Sequence, residues 1–282
     1  MAISSTEAGT VALTWVGHST VVLEIDGIRF LTDPMLRGRV THLRRVQPVD
    51  PGLLGRIDAI LISHGHYDHL DVPSLRKLDA AIPVLAPHGA AAILRRAGRN
   101  VVELSIGEEH ILDGVSVRAT RAEHAGGGGL RKSDALGFLL CGSASVYFAG
   151  DTDLFPGMEE LGPVDLALLP VWGWGPSLGE GHLDPIRAAQ AVSLLHARTV
   201  VPIHWGTYYP VHQRRGDYLT RPPFDFRDAV GEAAPESHVE ILALGQTTEL
   251  VVGGPDEEEA SQLRRRCLSE PGRGRGGPGD AR

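Results

Sequence analysis

Asp58-Ala59-Ile60-Leu61-Ile62-Ser63-His64-Gly65-His66-Tyr67-Asp68-His69 is the stretch on which the reading of this chain turns. Its first half is short, apolar and rich in branched side chains, as a buried strand is. Its second half packs four candidate metal ligands into six residues. The sequence that follows, Leu70-Asp71-Val72-Pro73-Ser74-Leu75-Arg76-Lys77-Leu78, predicts a helix capped by Asp71. The ligands therefore fall on a loop at the end of a strand, where rigid structure can aim side chains at one point. Imidazole nitrogens and carboxylate oxygens suit borderline and hard divalent ions. Alternation along a loop keeps His64, His66, Asp68 and His69 from all reaching one ion. One metal could take His64 and His66, and a second Asp68 and His69.

Each ion would still lack ligands, and other strand ends offer them. His124 follows an apolar strand at 115–120, in Thr120-Arg121-Ala122-Glu123-His124. Asp151 follows Val146-Tyr147-Phe148-Ala149-Gly150, whose glycine permits a tight turn. His204 follows Val200-Val201-Pro202-Ile203. One motif recurs, an apolar strand ending in a polar ligand.

Further strands are predicted at 11–15, 21–25, 29–32, 84–86, 101–104, 137–140 and 166–169, with Asp26-Gly27 as a two-residue hairpin turn. Helices are predicted at 72–78, 90–97 and 185–197, the last with Asp184 as cap and Pro185 at its first position. Strands dominate the front and helices fall between later strands, which fits sheets covered by helices within one domain. Patterned sequence runs over 10–252. From 253 to 282 an acidic run, an arginine run and a glycine-rich run leave too little apolar surface to offset chain entropy, so this tail is expected to be disordered.

A net charge of −8 over 282 residues argues against a protein built around nucleic-acid binding. Two cysteines, Cys141 and Cys267, are too few for a disulfide framework or a cysteine zinc site, and Cys141 reads as a small buried residue. No signal peptide and no apolar run of membrane-spanning length are visible, so a soluble cytoplasmic protein is expected.

The order and spacing of these pieces resemble the metallo-β-lactamase superfamily of binuclear metallohydrolases. The resemblance runs from Thr14-Trp15-Val16-Gly17-His18-Ser19-Thr20 through Leu31-Thr32-Asp33-Pro34, Phe148-Ala149-Gly150-Asp151-Thr152 and Gly181-His182-Leu183-Asp184-Pro185 to Pro202-Ile203-His204-Trp205-Gly206-Thr207. It looks most like the branch containing N-acylphosphatidylethanolamine phospholipase D and ascorbate-6-phosphate lactonase. The resemblance implies an α/β (α+β) fold, a four-layer αββα sandwich with the metals at one edge of two sheets. It also implies that His64, His66 and His124 bind one metal, that Asp68, His69 and His204 bind a second, and that Asp151 bridges them. Zn is the default for a His-rich site, and Mn or Fe fits the same ligands.

The implied activity is hydrolysis of a small phosphoester, lactone or related ester. Asp68 would orient the nucleophile, and His182 or a water would protonate the leaving group. Asp at the bridging position, where true β-lactamases of the family usually carry cysteine, speaks against antibiotic hydrolysis. Phospholipase D typically has a tryptophan after the histidine matching His124, whereas this chain has Ala125-Gly126. Alternative classes are an iron-dependent oxidoreductase on the same scaffold, whose members often carry Glu at the position of His66, and a nuclease.

Several residues keep two readings. His182 either faces substrate from just before a helix start or is a turn residue, and His18 could face the site from an early strand end. Asp33 either orients a ligand histidine or caps the turn at Pro34. Trp172-Gly173-Trp174-Gly175 either walls a pocket or packs in the core, and Gly126-Gly127-Gly128-Gly129 could supply a mobile rim. His42, His88, His110, His196, His212 and His238 read as surface or structural, and Arg44-Arg45, Arg95-Arg96 and Arg214-Arg215 as exposed charge pairs.

Overall fold

Hydrophobic alternation along the strands builds the architecture. The computed structural model describes residues 9–124 and 134–252, so the Gly126–Gly129 loop and the tail at 253–282 lie outside the described residues. The strands are β1 (Gly9–Gly17), β2 (Thr20–Ile25), β3 (Ile28–Thr32), β4 (Arg39–Val40), β5 (Leu43–Arg45), β6 (Ala59–Leu61), β7 (Pro83–Ala86), β8 (Asn100–Glu103) and β9 (Glu109–Leu112). They continue as β10 (Val115–Arg121), β11 (Leu136–Cys141), β12 (Ser145–Phe148), β13 (Leu166–Pro170), β14 (Thr199–Ile203), β15 (Tyr208–Pro210), β16 (His238–Val239) and β17 (Thr247–Val252). The helices are α1 (Val72–Leu75), α2 (His88–Arg96), α3 (Pro185–Leu195) and α4 (Pro222–Ala233).

Two seven-stranded sheets result, in the orders β17-β1-β2-β3-β6-β7-β8 and β16-β14-β13-β12-β11-β10-β9, with a small sheet β15-β5-β4 beside them. Successive side chains point to opposite faces, so each central strand feeds two cores. On β13, Leu166 and Leu168 join the core between the sheets, while Ala167 and Leu169 pack outward against α3 and α4. On β3 and β6, Phe30, Ala59 and Leu61 face inward, while Leu31 and Ile60 face the layer of α1 and α2. Each fully buried Leu or Phe contributes about 1.5–3 kcal/mol, so misregister by one residue would exchange the cores and is strongly disfavoured. The layers are helix, sheet, sheet, helix, the αββα sandwich.

Pairing also fixes where the strand ends lie. β3 runs parallel to β6, and β1 and β3 both run antiparallel to β2. In the other sheet β10 and β12 both run antiparallel to β11, and β12, β13 and β14 are mutually parallel. The C-terminal ends of β1, β3 and β6 thus share one edge, as do those of β10, β12 and β14. Main-chain bonding joins the two edges, for Leu136 N donates to Ser63 O at 2.9 Å.

Most predicted elements form within a residue or two. α3 stops at Leu195 rather than 197 because His196 turns left-handed, with φ 43°. One expectation is corrected. Arg45 is not half of an exposed pair but is 5% exposed, and its guanidinium donates to the carbonyls of Met35 and Gln47. Among the described residues no helix is long and apolar enough to cross a membrane.

Candidate metal centre

Every predicted ligand follows a strand of this shared edge or lies in the turn after β6. His64 and the turn to His69 follow β6, His124 follows β10, Asp151 follows β12 and His204 follows β14. The turn is closed by main-chain bonds from His69 N and Leu70 N to His66 O. His64, Asp68, His69, Asp151 and His204 are at most 6% exposed, while His66, His124 and His182 are half-buried.

The side chains converge in two linked groups. His66 Nδ1 lies 2.9 Å from His64 Nε2 and 3.0 Å from His124 Nε2. His69 Nε2 lies 3.1 Å from His204 Nε2, and Asp68 Oδ2 stands 3.8 and 3.7 Å from those two nitrogens. Asp151 sits between the groups, with Oδ2 at 3.0 Å from His69 Nε2 and Oδ1 at 3.2 Å from His204 Nε2. The ligand atoms of His64, His69 and Asp151 also lie within 4.8 Å of one another. His182, ambiguous in sequence, is brought in as well, its Nε2 at 3.4 Å from Asp151 Oδ2.

Outer hydrogen bonds set the direction of the lone pairs. His69 Nδ1 meets Asp33 Oδ2 at 2.7 Å, His124 Nδ1 meets Gly181 O at 2.8 Å, and His204 Nδ1 meets Trp172 O at 2.7 Å. A carbonyl or carboxylate only accepts, so each Nδ1 carries a proton, and each ring when neutral turns a bare Nε2 inward. Ser63 Oγ gives its one proton to Asp33 Oδ2 at 2.6 Å, so it accepts from His64 Nδ1 at 2.9 Å and leaves His64 Nε2 bare too. Asp33 thus orients His69 directly and His64 through Ser63, a role beyond capping the turn at Pro34. The Trp172–Gly175 segment contributes through its backbone, as the acceptor that fixes His204.

Bare nitrogens 3.1 Å apart repel unless something positive lies between them. Asp151 Oδ1, buried, accepts no hydrogen bond, and no Lys or Arg among the described residues pairs with Asp33, Asp68 or Asp151. Buried carboxylates without cationic partners are costly, and divalent ions relieve both defects at once. The donor set therefore fits metal.

Protonation follows the same division. Burial and neighbouring imidazoles hold His64 well below its usual range, and burial with His124 lowers His66. Burial likewise lowers His124 and takes His18 down to about 3. Around the carboxylates the balance reverses. Burial opposes a charge on His69, but Asp151, Asp68 and Asp33 outweigh it and raise the ring well above its usual range. Burial opposes His204 as well, yet Asp151 and Asp68 lift it from 6.5 to about 9. Burial alone would raise Asp68 and Asp151, but the facing imidazoles, His69 and His204 among them, hold both far below the usual carboxylate range.

In the metal-free protein His69 and His204 therefore share bound proton at neutral pH, in the place an ion would occupy. Metal uptake at pH 7 should release roughly one to two protons per protein. Calorimetry in buffers of different ionisation enthalpy reads that number, and uptake with no proton release would contradict the picture. The sign for stability is fixed by His204: its stabilising contribution in the metal-free state is complete below 6.5 and is lost as pH rises through about 9.

One contributor lay under a weak signal. His18, at the end of β1, is 1% exposed and packs its ring 4.0 Å from that of His204. His42, expected to be surface or structural, is half-buried and meets Trp174 edge-on at 5.1 Å and Tyr67 at 5.8 Å between ring centroids. Tyr67 stands between two of the predicted ligands, so these three rings form an aromatic rim beside the cluster.

Comparison with known proteins identifies the family. Residues 28–205 match the family model described as the Beta-lactamase superfamily domain. Over 235 residues the chain is 33% identical to N-acyl-phosphatidylethanolamine-hydrolyzing phospholipase D 1 of Caenorhabditis elegans, an overlap covering 72% of this chain and 65% of that protein. Over 247 residues it is 31% identical to a UPF0173 metal-dependent hydrolase of Methanopyrus kandleri, covering 84% of this chain and 99% of the relative. Among solved structures, the metallo hydrolase Igni18 of Ignicoccus hospitalis superposes with a TM-score of 0.65 at 26% identity, covering 86% of this chain and 98% of that one. The chain spans 60% of the length of the Mycobacterium tuberculosis relatives it matches at 34% identity. The chain belongs to the metallo-β-lactamase superfamily.

Proposed function

We propose, with membership of this superfamily as premise, that the chain is a cytoplasmic metal-dependent hydrolase whose domain at 10–252 holds two divalent ions, Zn by default, and cleaves a small phosphoester, lactone or related ester. In this reading His64, His66 and His124 hold one ion, Asp68, His69 and His204 the other, and Asp151 serves both. The observation that carries it is the inward convergence of bare imidazole nitrogens, each fixed from outside by Asp33, Ser63, Gly181 or Trp172. Bound ions would supply an acidified water as nucleophile and would stabilise the developing oxyanion.

The chain's own groups supply the rest. Asp68, kept ionised by its imidazole neighbours, is a carboxylate ready to orient the attacking water. Burial works against a charge on His182, but Asp151 outweighs it and raises the ring, which favours the protonated form that would give a proton to the leaving group. The rim of His42, Tyr67 and Trp174 supports a small substrate with an apolar portion packed on the rings. Relatives named as metal-dependent hydrolases support the same reaction type.

Elemental analysis of protein purified without added metal, followed by a hydrolysis screen over phosphodiesters, lactones and thioesters, tests the proposal. The expected result is about two Zn or Mn per chain and at least one hydrolysed class whose turnover chelation removes and metal restores. A single Fe with no hydrolysis would sink this reading in favour of the oxidoreductase class.

A further inference from the structure

We propose that His18 is a positioning residue for Asp68, donating from Nε2–H to Asp68 Oδ2 and fixing the orientation of that carboxylate toward His69 and His204. The contact is 3.3 Å and is the shortest polar contact of Asp68, whose next neighbours, the nitrogens of His204 and His69, stand at 3.7 and 3.8 Å. The carboxylate only accepts, and His18 Nδ1 is buried with no partner, so the proton that serves this contact sits on Nε2.

The backbone around His18 is held in a way plain packing would not require. The residue is left-handed, with φ 56°, a state few residues other than glycine adopt. Three hydrogen bonds hold it. His18 N donates to Thr207 Oγ1 at 2.6 Å, and His18 O accepts from Trp15 Nε1 at 2.9 Å and from His204 N at 3.0 Å. Gly17 before it leaves no room for a side chain, since a Cβ there would lie 2.6 Å from Arg45 and 2.9 Å from Thr207. Tyr208 then meets the His18 ring edge-on at 5.6 Å, with the buried Arg45 guanidinium over the Tyr208 ring. Strain of this kind persists only where surrounding structure enforces it. Here it delivers one N–H to one carboxylate oxygen, the oxygen that faces His69 and His204.

The inference rests on the hydrolase reading only for its rate measurement. His18→Gln and His18→Met have side chains of similar length and meet the same backbone strain, but only glutamine can donate. His18→Met should weaken the second Co(II) equivalent, read by its visible absorption during titration, by about 10–100-fold, the range seen when partners of metal ligands are removed. It should lower kcat by a similar factor with KM little changed, whereas His18→Gln keeps most of both. Equal losses in two variants that melt like the wild type would overturn the proposal, because ring packing on His204 would then be the whole role. Long-range 1H–15N spectra of the unaltered protein decide the matter independently: an Nε2–H tautomer at His18 supports it, and an Nδ1–H tautomer overturns it, whether or not the variants fold. If the unaltered protein hydrolyses nothing in the screen, the hydrolase reading fails, while the titration and the tautomer still decide on His18.

Discussion

Asp151→Ala is expected to remove essentially all hydrolysis, lowering kcat/KM by more than about 100-fold, since even partners of metal ligands cost 10–100-fold. The reason lies in where its two oxygens point. Oδ2 faces His69 and His182, Oδ1 faces His204, and among the described residues neither has a cationic side chain other than imidazole beside it. Alanine would remove negative charge shared by both donor groups, so metal content should fall as well as rate. His66→Ala should act more locally. Its Nδ1 is the hub between His64 and His124, and losing it opens the all-imidazole group while Asp68, His69, Asp151 and His204 keep their contacts. Both proteins should stay folded, because neither residue belongs to the three large apolar clusters. The check is turnover beside elemental analysis of each purified variant. Full activity of either at wild-type metal content would remove that residue from the site.

Much of this site was legible because one local rule generates it. An apolar strand that ends in a polar residue, repeated at β6, β10, β12 and β14, points to His64, His124, Asp151 and His204 without knowledge of which strands are neighbours. The rule applies equally to β1 and β3, whose ends carry His18 and Asp33. Asp33 stands out less because its value lies in a partner 36 residues away, His69, and such partners leave no periodic trace. Ser63 reads in sequence as the last residue of its strand, yet its N–H and hydroxyl both leave the ladder for Asp33.

Some of the elements missed outright, α4 and the small sheet, have weak local patterns. α4 opens on two prolines and contains Gly231, so propensity argues against it, and it forms because Phe226 and Val230 bury against the face of α3. The small sheet pairs the adjacent β4 and β5 with the distant β15, in strands of two or three residues. Its core, Met35, Val40, Leu43 and Tyr208, is tertiary in origin.

Gly150→Ala is expected to be the most disruptive single methyl group near the site. Gly150 is left-handed, with φ 62°, and an added Cβ would lie 2.6 Å from Ser63 Cβ, 3.0 Å from Leu136 O and 3.1 Å from Ser63 Oγ. This is the place where the sheet edges are joined, since Leu136 N donates to Ser63 O at 2.9 Å. Two of the three clashing atoms belong to the serine that fixes His64, and the next residue is Asp151. A methyl here drives the His64 side of the site away from the Asp151 side. Overpacking costs about 1–3 kcal/mol and the left-handed backbone about 1–2 kcal/mol more, so a loss of about 2–5 kcal/mol is expected. For a domain of this size that lowers Tm by about 4–20 °C. Metal affinity should fall with it.

Gly98→Ala separates the two causes. Gly98 is also left-handed, with φ 76°, but a Cβ there meets nothing within 4 Å. It should carry only the backbone cost, about 1–2 kcal/mol, and leave metal content intact. Melting curves and metal analysis of the pair give the answer. Equal melting temperatures, or an unchanged metal content in Gly150→Ala, would show that the two sheet edges are not held at a fixed distance by the absence of a side chain at Gly150.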